Sequence, residues 1–317
     1  MAEAPLTLVV GAGGLLGSAV RRELARRALP LVTVTVPWAD EERAAAVLGD
    51  ELVRLVRSGR PWRVVWSAGA GVIGTSEQQL RSEVDLLERV LARAEGELGD
   101  PSRGGFFLTS SAGGVYAGSS GPPFSEASTP VPISPYGHAK LAAEEVVAQF
   151  AARSGLPTAV GRVANLYGPG QDISKPQGLI SQLIKAHLFR EPLSIYVPLD
   201  TARDYIYVDD CARMVLDTLE RTVSAGGLHT KLVASEQAVT LGVILAELRR
   251  VTKRRPQVVL GASPMARFQV KDLRFRSVVW PDLRRHVTTT LPAGIAATLQ
   301  SLGQDMRTGA LGASLAH

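Results

Sequence analysis

The chain has 317 residues, 45% of them apolar, a net charge of +5 and a single cysteine, Cys211. That length allows two lobes around a sizeable core. The composition leaves Cys211 no partner for an internal disulfide, gives no basis for a cysteine metal site, and contains no apolar run near the roughly 20 residues of a membrane span. Lys and Arg are scattered, without basic blocks interleaved with aromatics, so nucleic-acid binding is unsupported; the positive excess reads as an arginine-rich proteome or as an anionic ligand. No leader-like segment precedes the first strand, so the cytoplasm is the expected location.

Leu6-Thr7-Leu8-Val9-Val10 is an apolar run rich in β-formers and predicts a strand buried on both faces of a parallel sheet. Gly11-Ala12-Gly13-Gly14-Leu15-Leu16-Gly17 follows at once, then a helical stretch from Ser18 to Ala28. Strand, glycine turn and helix in that order form the context of a dinucleotide site. Gly11, Gly14 and Gly17 let the backbone approach a pyrophosphate, and the helix start at Leu15 and Leu16 offers it N–H groups. Leu31 to Val36 predicts the second strand. Its end reads Thr35-Val36-Pro37-Trp38, and the first acid is Asp40. The carboxylate that holds the adenosine ribose of NAD is therefore missing at the usual place. An arginine signalling NADP is missing too, Arg43 lying later, so NAD and NADP both stay open.

Asp40 to Arg57 predicts one helix, Val64 to Gly69 a strand and turn, and Ser76 to Leu98 a helix with Leu80, Val84, Leu87, Val90 and Leu91 on one face. Gly104 to Ser111 is the next strand, a helix opens at Ser134-Pro135, and Gly155 to Val163 is another strand. This alternation predicts an α/β fold with a doubly wound parallel sheet. Residues 169–199, and those from about 240 on, break the rhythm. We divide the chain into a dinucleotide-binding domain, 1–165 and 205–237, and a smaller substrate-binding lobe, 166–204 and 238–317.

Tyr136 and Lys140 stand four residues apart, one turn apart on one helix face. A free phenol is a poor base at neutral pH, and a nearby ammonium favours the phenolate. The pair can take a proton from an alcohol and return it. The histidines, at His138, His187, His229, His286 and His317, give no metal-ligand spacing, and no metal is expected.

Six markers occur in a fixed order: Gly11 to Gly17; Ser67-Ala68-Gly69; Ser110-Ser111-Ala112-Gly113-Gly114-Val115-Tyr116; Tyr136 with Lys140; Arg162-Val163-Ala164-Asn165-Leu166-Tyr167-Gly168-Pro169-Gly170; and Arg203-Asp204-Tyr205-Ile206-Tyr207-Val208-Asp209-Asp210. On these the chain resembles the extended short-chain dehydrogenase/reductase family, in its NAD-dependent epimerase/dehydratase branch acting on nucleotide sugars. The resemblance implies a Rossmann fold, with NAD bound at Gly11, Gly14, Leu15, Leu16, Gly17, Ala68 and Lys140. Tyr136 would be the acid–base group, Lys140 would hold the nicotinamide ribose, and a Ser or Thr at the end of the strand before them would bond the sugar oxygen. Ser111 is our choice for that role. Counting back from Val115-Tyr116 puts the slot on Ala112 instead, and Ser110 and Thr109 are spares, Ser110 also as a substrate contact. Asn165 would contact the nucleotide diphosphate, Arg203 its phosphate, and Arg267 would be a second phosphate ligand. The resemblance also implies a homodimer through the helices 76–98 and 136–154, where Val146, Val147 and Phe150 extend the apolar surface.

Departures from the family narrow the chemistry. Glu83-Val84-Asp85 replaces the Asn-containing run common behind the active site. Dehydratases carry an Asp-Glu pair after the catalytic Thr, and sugar-acid decarboxylases a Glu; Gly113-Gly114, or Ala112-Gly113, stands there in this chain and transfers no protons. Epimerisation at C4 is the preferred reading, with an NAD(P)H-dependent ketoreductase as the alternative and a non-catalytic nucleotide-binding protein as the third.

Overall fold

The computed structural model describes residues 3–69, 71, 74–175, 177–262 and 270–308. In chain order the elements are β1 (Leu6–Val10), α1 (Leu15–Arg26), β2 (Leu31–Val32), α2 (Glu41–Arg57), β3 (Trp62–Trp66), α3 (Glu77–Glu95), β4 (Phe106–Ser111), α4 (Ala112–Val115), α5 (Pro135–Ser154), β5 (Thr158–Val163), β6 (Asn165–Tyr167) and α6 (Leu179–Phe189). Then follow β7 (Leu193–Ile195), β8 (Ala202–Arg203), β9 (Tyr205–Tyr207), α7 (Val208–Ala225), β10 (Leu228–Val233), β11 (Val239–Thr240), α8 (Leu241–Thr252), β12 (Val258–Leu260), β13 (Asp272–Leu273) and α9 (Leu291–Arg307).

The main sheet has six strands in the order β10-β5-β4-β3-β1-β2, every neighbouring pair parallel. Its strands bury both faces, as a parallel sheet must. Val9, Val65 and Phe107 point into one core with α1 and α7, while Leu8, Val10, Val64, Trp66, Phe106 and Leu108 point into another with α2, α3 and α5. The helices end on ordinary signals: Asp40, Ser76 and Ser134 cap α2, α3 and α5 with their side chains, and Gly155 closes α5 at φ +68°.

The second strand is shorter than expected. Only Leu31 and Val32 pair, with Thr7 and Leu8 of β1. β2 is the edge of the sheet, with β1 as its one ladder partner among the described residues, and residues 33–36 run on as coil; Val34 and Val36 nonetheless pack on the core.

A third core gathers Tyr167, Ile173, Ile180, Leu183, Ile184, Ile195, Leu241, Ile244, Leu248, Ile295 and Leu302. Around it run the short ladders β11-β8-β13, β12-β7 and β6-β9. Leu273, Phe275 and Leu283, from the C-terminal segment, belong instead to the core beneath the main sheet. Among the described residues no helix is long and apolar enough to cross a membrane, and no cluster of His, Cys, Asp and Glu could hold a metal.

Candidate active site

The strand order reverses between β1 and β3, and their carboxyl ends open the crevice where such sheets bind ligands. The glycine turn sits there. Gly11 has φ +82°, and a Cβ on it would lie 2.6 Å from the Ala68 nitrogen; a Cβ on Gly17 would lie 2.1 Å from the Gly11 oxygen. Both glycines are thus required by close packing of the turn on the β3 end and on α1. Gly13 faces open space. Gly14 caps α1 without a side chain, and the first turn of α1 carries no acid, so its N–H groups at Leu15 and Leu16 face outward without a competing charge. The Ser67 hydroxyl and N–H both donate to the Val10 oxygen, at 2.8 and 2.9 Å, tying the β3 turn to the glycine loop. These residues fit a pyrophosphate. At the ribose end Asp40 spends its carboxylate on the Arg43 N–H, 3.0 Å away, as the α2 cap.

Tyr136 and Lys140 lie on the first turns of α5. Ser134 accepts from the Gly137 N–H at 3.1 Å, and Pro135 occupies the first turn, where its missing N–H costs nothing. The Lys140 ammonium stands 5.6 Å from the centre of the Tyr136 ring. Gly114 fits between Tyr136 and Ser111: a Cβ there would be 3.1 Å from Tyr136 Cε1 and 3.3 Å from Ser111 Oγ. The Ser111 hydroxyl accepts from the Gly114 N–H at 3.1 Å. Ala112, the competing position, is fully buried in the core. Behind Lys140 is a cavity of about 30 Å³, room for a water or two, lined by Ala68, Glu83, Thr109 and Lys140 among others. The Thr109 hydroxyl is buried with no hydrogen-bond partner among the described residues.

Ser110 is not on this side. Alternation along β4 turns it to the opposite face, where it is buried and donates to the Glu144 carboxylate. Glu144 also receives Arg162, whose Nε lies 3.1 Å from each carboxylate oxygen and whose Nη2 is 2.6 Å from Oε2. Arg162 donates in addition to the Tyr116 hydroxyl, which donates to the Ser125 oxygen at 2.8 Å. Burial pushes the Tyr116 phenol up, against the pull of Arg162. The network ties β4, α5, β5 and the segment after α4 together. Sequence reasoning missed it, although strict alternation from Thr109 to Ser111 would have separated Ser110 from its neighbours.

Asn165 and Arg203 lie near the paired starts of β6 and β9, where Asn165 opposes Tyr205. The backbone and side-chain N–H groups of Asn165 both donate to the Asp204 oxygen, at 3.0 and 2.9 Å. Arg203 is buried and donates to the Ala202 and Lys271 oxygens at 2.8 and 3.4 Å; burial pulls its guanidinium below the ordinary value. The neighbouring acids have other bonds. Asp200 pairs with Lys271 at 2.6 Å, and Asp204 accepts from the Ser235 N–H and hydroxyl. Burial pushes the Asp204 carboxyl up to about 6. Arg267 lies outside the described residues.

A glycine turn at the switch point of a parallel sheet, with a tyrosine and lysine one turn apart beside it, defines a dinucleotide-binding scaffold built for hydride transfer at an alcohol carbon. Residues 7–229 match the NAD-dependent epimerase/dehydratase family, and the chain belongs to it; its dinucleotide is NAD. A UDP-glucose 4-epimerase of Azospirillum brasilense is 30% identical over 67% of this chain and 67% of its own length. An uncharacterised UDP-glucose epimerase of Bacillus subtilis is 32% identical over 38% of this chain, which spans only 39% of that relative. The solved UDP-glucose 4-epimerase of Thermotoga maritima superposes with a TM-score of 0.80 at 23% identity, covering 95% of this chain and 99% of the other, a likeness of fold.

Proposed function

We propose that the chain is a nucleotide-sugar 4-epimerase. The observation that carries this reading is the arrangement of Ser111 and Tyr136 around Gly114, with only Ala112 and Gly113 directly after Ser111, where a dehydratase needs proton-transferring side chains. Bound NAD supplies a reversible hydride acceptor. Tyr136 takes the proton from the sugar C4 hydroxyl as the hydride leaves, and gives it back when the hydride returns to the opposite face. Ser111 hydrogen-bonds the reacting oxygen throughout and fixes its distance from the phenol. Lys140 holds the nicotinamide ribose and favours the phenolate. Asn165 and Arg203 grip the diphosphate of the substrate; a planar guanidinium matches phosphate oxygens. The relatives' names make a UDP-hexose the first substrate to try.

The same reading includes a division into the two lobes expected above, a cytoplasmic location and a homodimer through α3 and α5. Val84, Leu86 and Val146, half-buried on that helix pair, support the dimer; Val147 and Phe150 do not, because both are consumed by the chain's own core.

The test follows deuterium. UDP-glucose labelled at C4 and incubated with the protein and NAD is expected to give UDP-galactose that retains the label, with no net NADH. Label accumulating in free NADH, with a keto-sugar as product, would replace epimerisation by the one-way oxidoreductase alternative.

A further inference from the structure

We propose that Glu83 balances the charge of Lys140 and thereby sets which redox form of the dinucleotide the site prefers. The inference rests on the reading above, in which Lys140 holds the nicotinamide ribose.

Glu83 comes from α3 and Lys140 from α5, and both line the cavity between Ala68 and Thr109. A methyl group on Gly69 would lie 3.2 Å from Oε2 of Glu83 and 3.4 Å from Nζ of Lys140. Carboxylate and ammonium are therefore seated over one α-carbon. Oε1 of Glu83 accepts from the Gly71 N–H at 2.9 Å, which holds the carboxylate toward the turn after β3. Glu144, the acid four residues beyond Lys140, is committed to Arg162 and Ser110 and is already balanced.

The oxidised nicotinamide ring is a cation and the reduced ring is neutral. An ammonium standing alone beside that ring opposes the oxidised form and leaves the reduced form almost untouched. A carboxylate near the ammonium offsets part of its field at the ring. Coulomb energy depends on the net charge the ring meets, so Glu83 favours the oxidised dinucleotide specifically. That is the form an epimerase needs at the start of every cycle.

Dissociation constants for NAD and NADH should be measured by titration, at low salt, on nucleotide-stripped protein. Wild type is compared with two neutral variants of different reach, Glu83→Gln and Glu83→Asn, and with the charged Glu83→Asp. The Gln amide oxygen can still accept from the Gly71 N–H. The preference for NAD over NADH is expected to fall about three- to tenfold in the neutral variants and to hold within about twofold in Glu83→Asp. A merely structural role would weaken both forms alike and leave the ratio unmoved. An unchanged ratio in whichever neutral variant folds overturns the inference while the epimerase reading stands. Binding of neither form by the wild type would overturn that reading, and this inference with it.

Discussion

Tyr136→Phe keeps the ring that packs against Gly114 and removes only the hydroxyl. Turnover of UDP-glucose is expected to fall by about 10²–10⁴-fold, the usual contribution of a general acid–base group, while NAD affinity changes little. Near-normal turnover in a steady-state assay would remove Tyr136 from the chemistry. The adjacent serines should separate cleanly. Ser111→Ala should lower turnover and cost only a cap bond to the Gly114 N–H, about 0.5–2 kcal/mol, whereas Ser110→Ala should leave turnover largely intact and cost about 1–3 kcal/mol in denaturant unfolding, because it strips a donor from the buried Glu144 carboxylate. Tyr136 and Lys140 were legible in the sequence because a helix converts a four-residue spacing directly into a shared face. The serines were not settled by counting, because the count from Val115 lands on Ala112 and the count from Tyr136 on Ser111; the face each serine takes is fixed by the pleat of β4. Glu83 was visible only as a departure. Its position over Gly69 depends on how α3 packs beside α5, which no local pattern encodes.

The short helix α4 and the start of α5 are held by backbone contact. A Cβ on Gly137 would lie 2.3 Å from the Gly114 oxygen. Gly114→Ala would press on the Tyr136 ring and on Ser111, so it is expected to lower kcat by about 10-fold or more with little change in NAD affinity; equal loss of both, read by kinetics and titration, would mean that the turn has collapsed instead. Arg203→Ala at β8 should weaken UDP binding, by isothermal titration, by the equivalent of about 1.5–3 kcal/mol while NAD binding holds. Equal UDP affinity in mutant and wild type would take Arg203 out of the substrate site. The helices and long strands were legible because their apolar periodicity is long and their caps are ordinary. The two-residue strands β8, β11 and β13 were not, and β2 was read too long, since so short a ladder is defined by its partner and not by its own residues.

For the whole molecule, the dimer is checked by light scattering at micromolar concentration; a monomer would count against the α3–α5 interface. Stability should carry a signature from Asp204. Its carboxyl is pushed up to about 6, from an ordinary 3.8. The folded chain therefore holds this proton more tightly than the unfolded chain between those values. Its contribution is full below about pH 4, declines as pH rises through about 6, and is absent above. Asp204→Asn removes the dependence. Its Tm relative to wild type should be more favourable at about pH 7.5 than at about pH 4, and a pH-independent difference by calorimetry would contradict the burial argument.

Tyr136, Lys140 and Glu144 succeed one another every fourth residue along α5, and the last of them is clamped to Arg162 on β5. A clamp at that point acts on the angular setting of the helix about its own long axis. With the phenol oxygen roughly 8 Å from that axis, a turn of about 10° would carry it about 1.4 Å sideways, enough to cost on the order of 100-fold in rate. On the proposed mechanism, Arg162 and Glu144 would govern the sugar's chemistry without meeting it, by setting the azimuth from which the tyrosine reaches it.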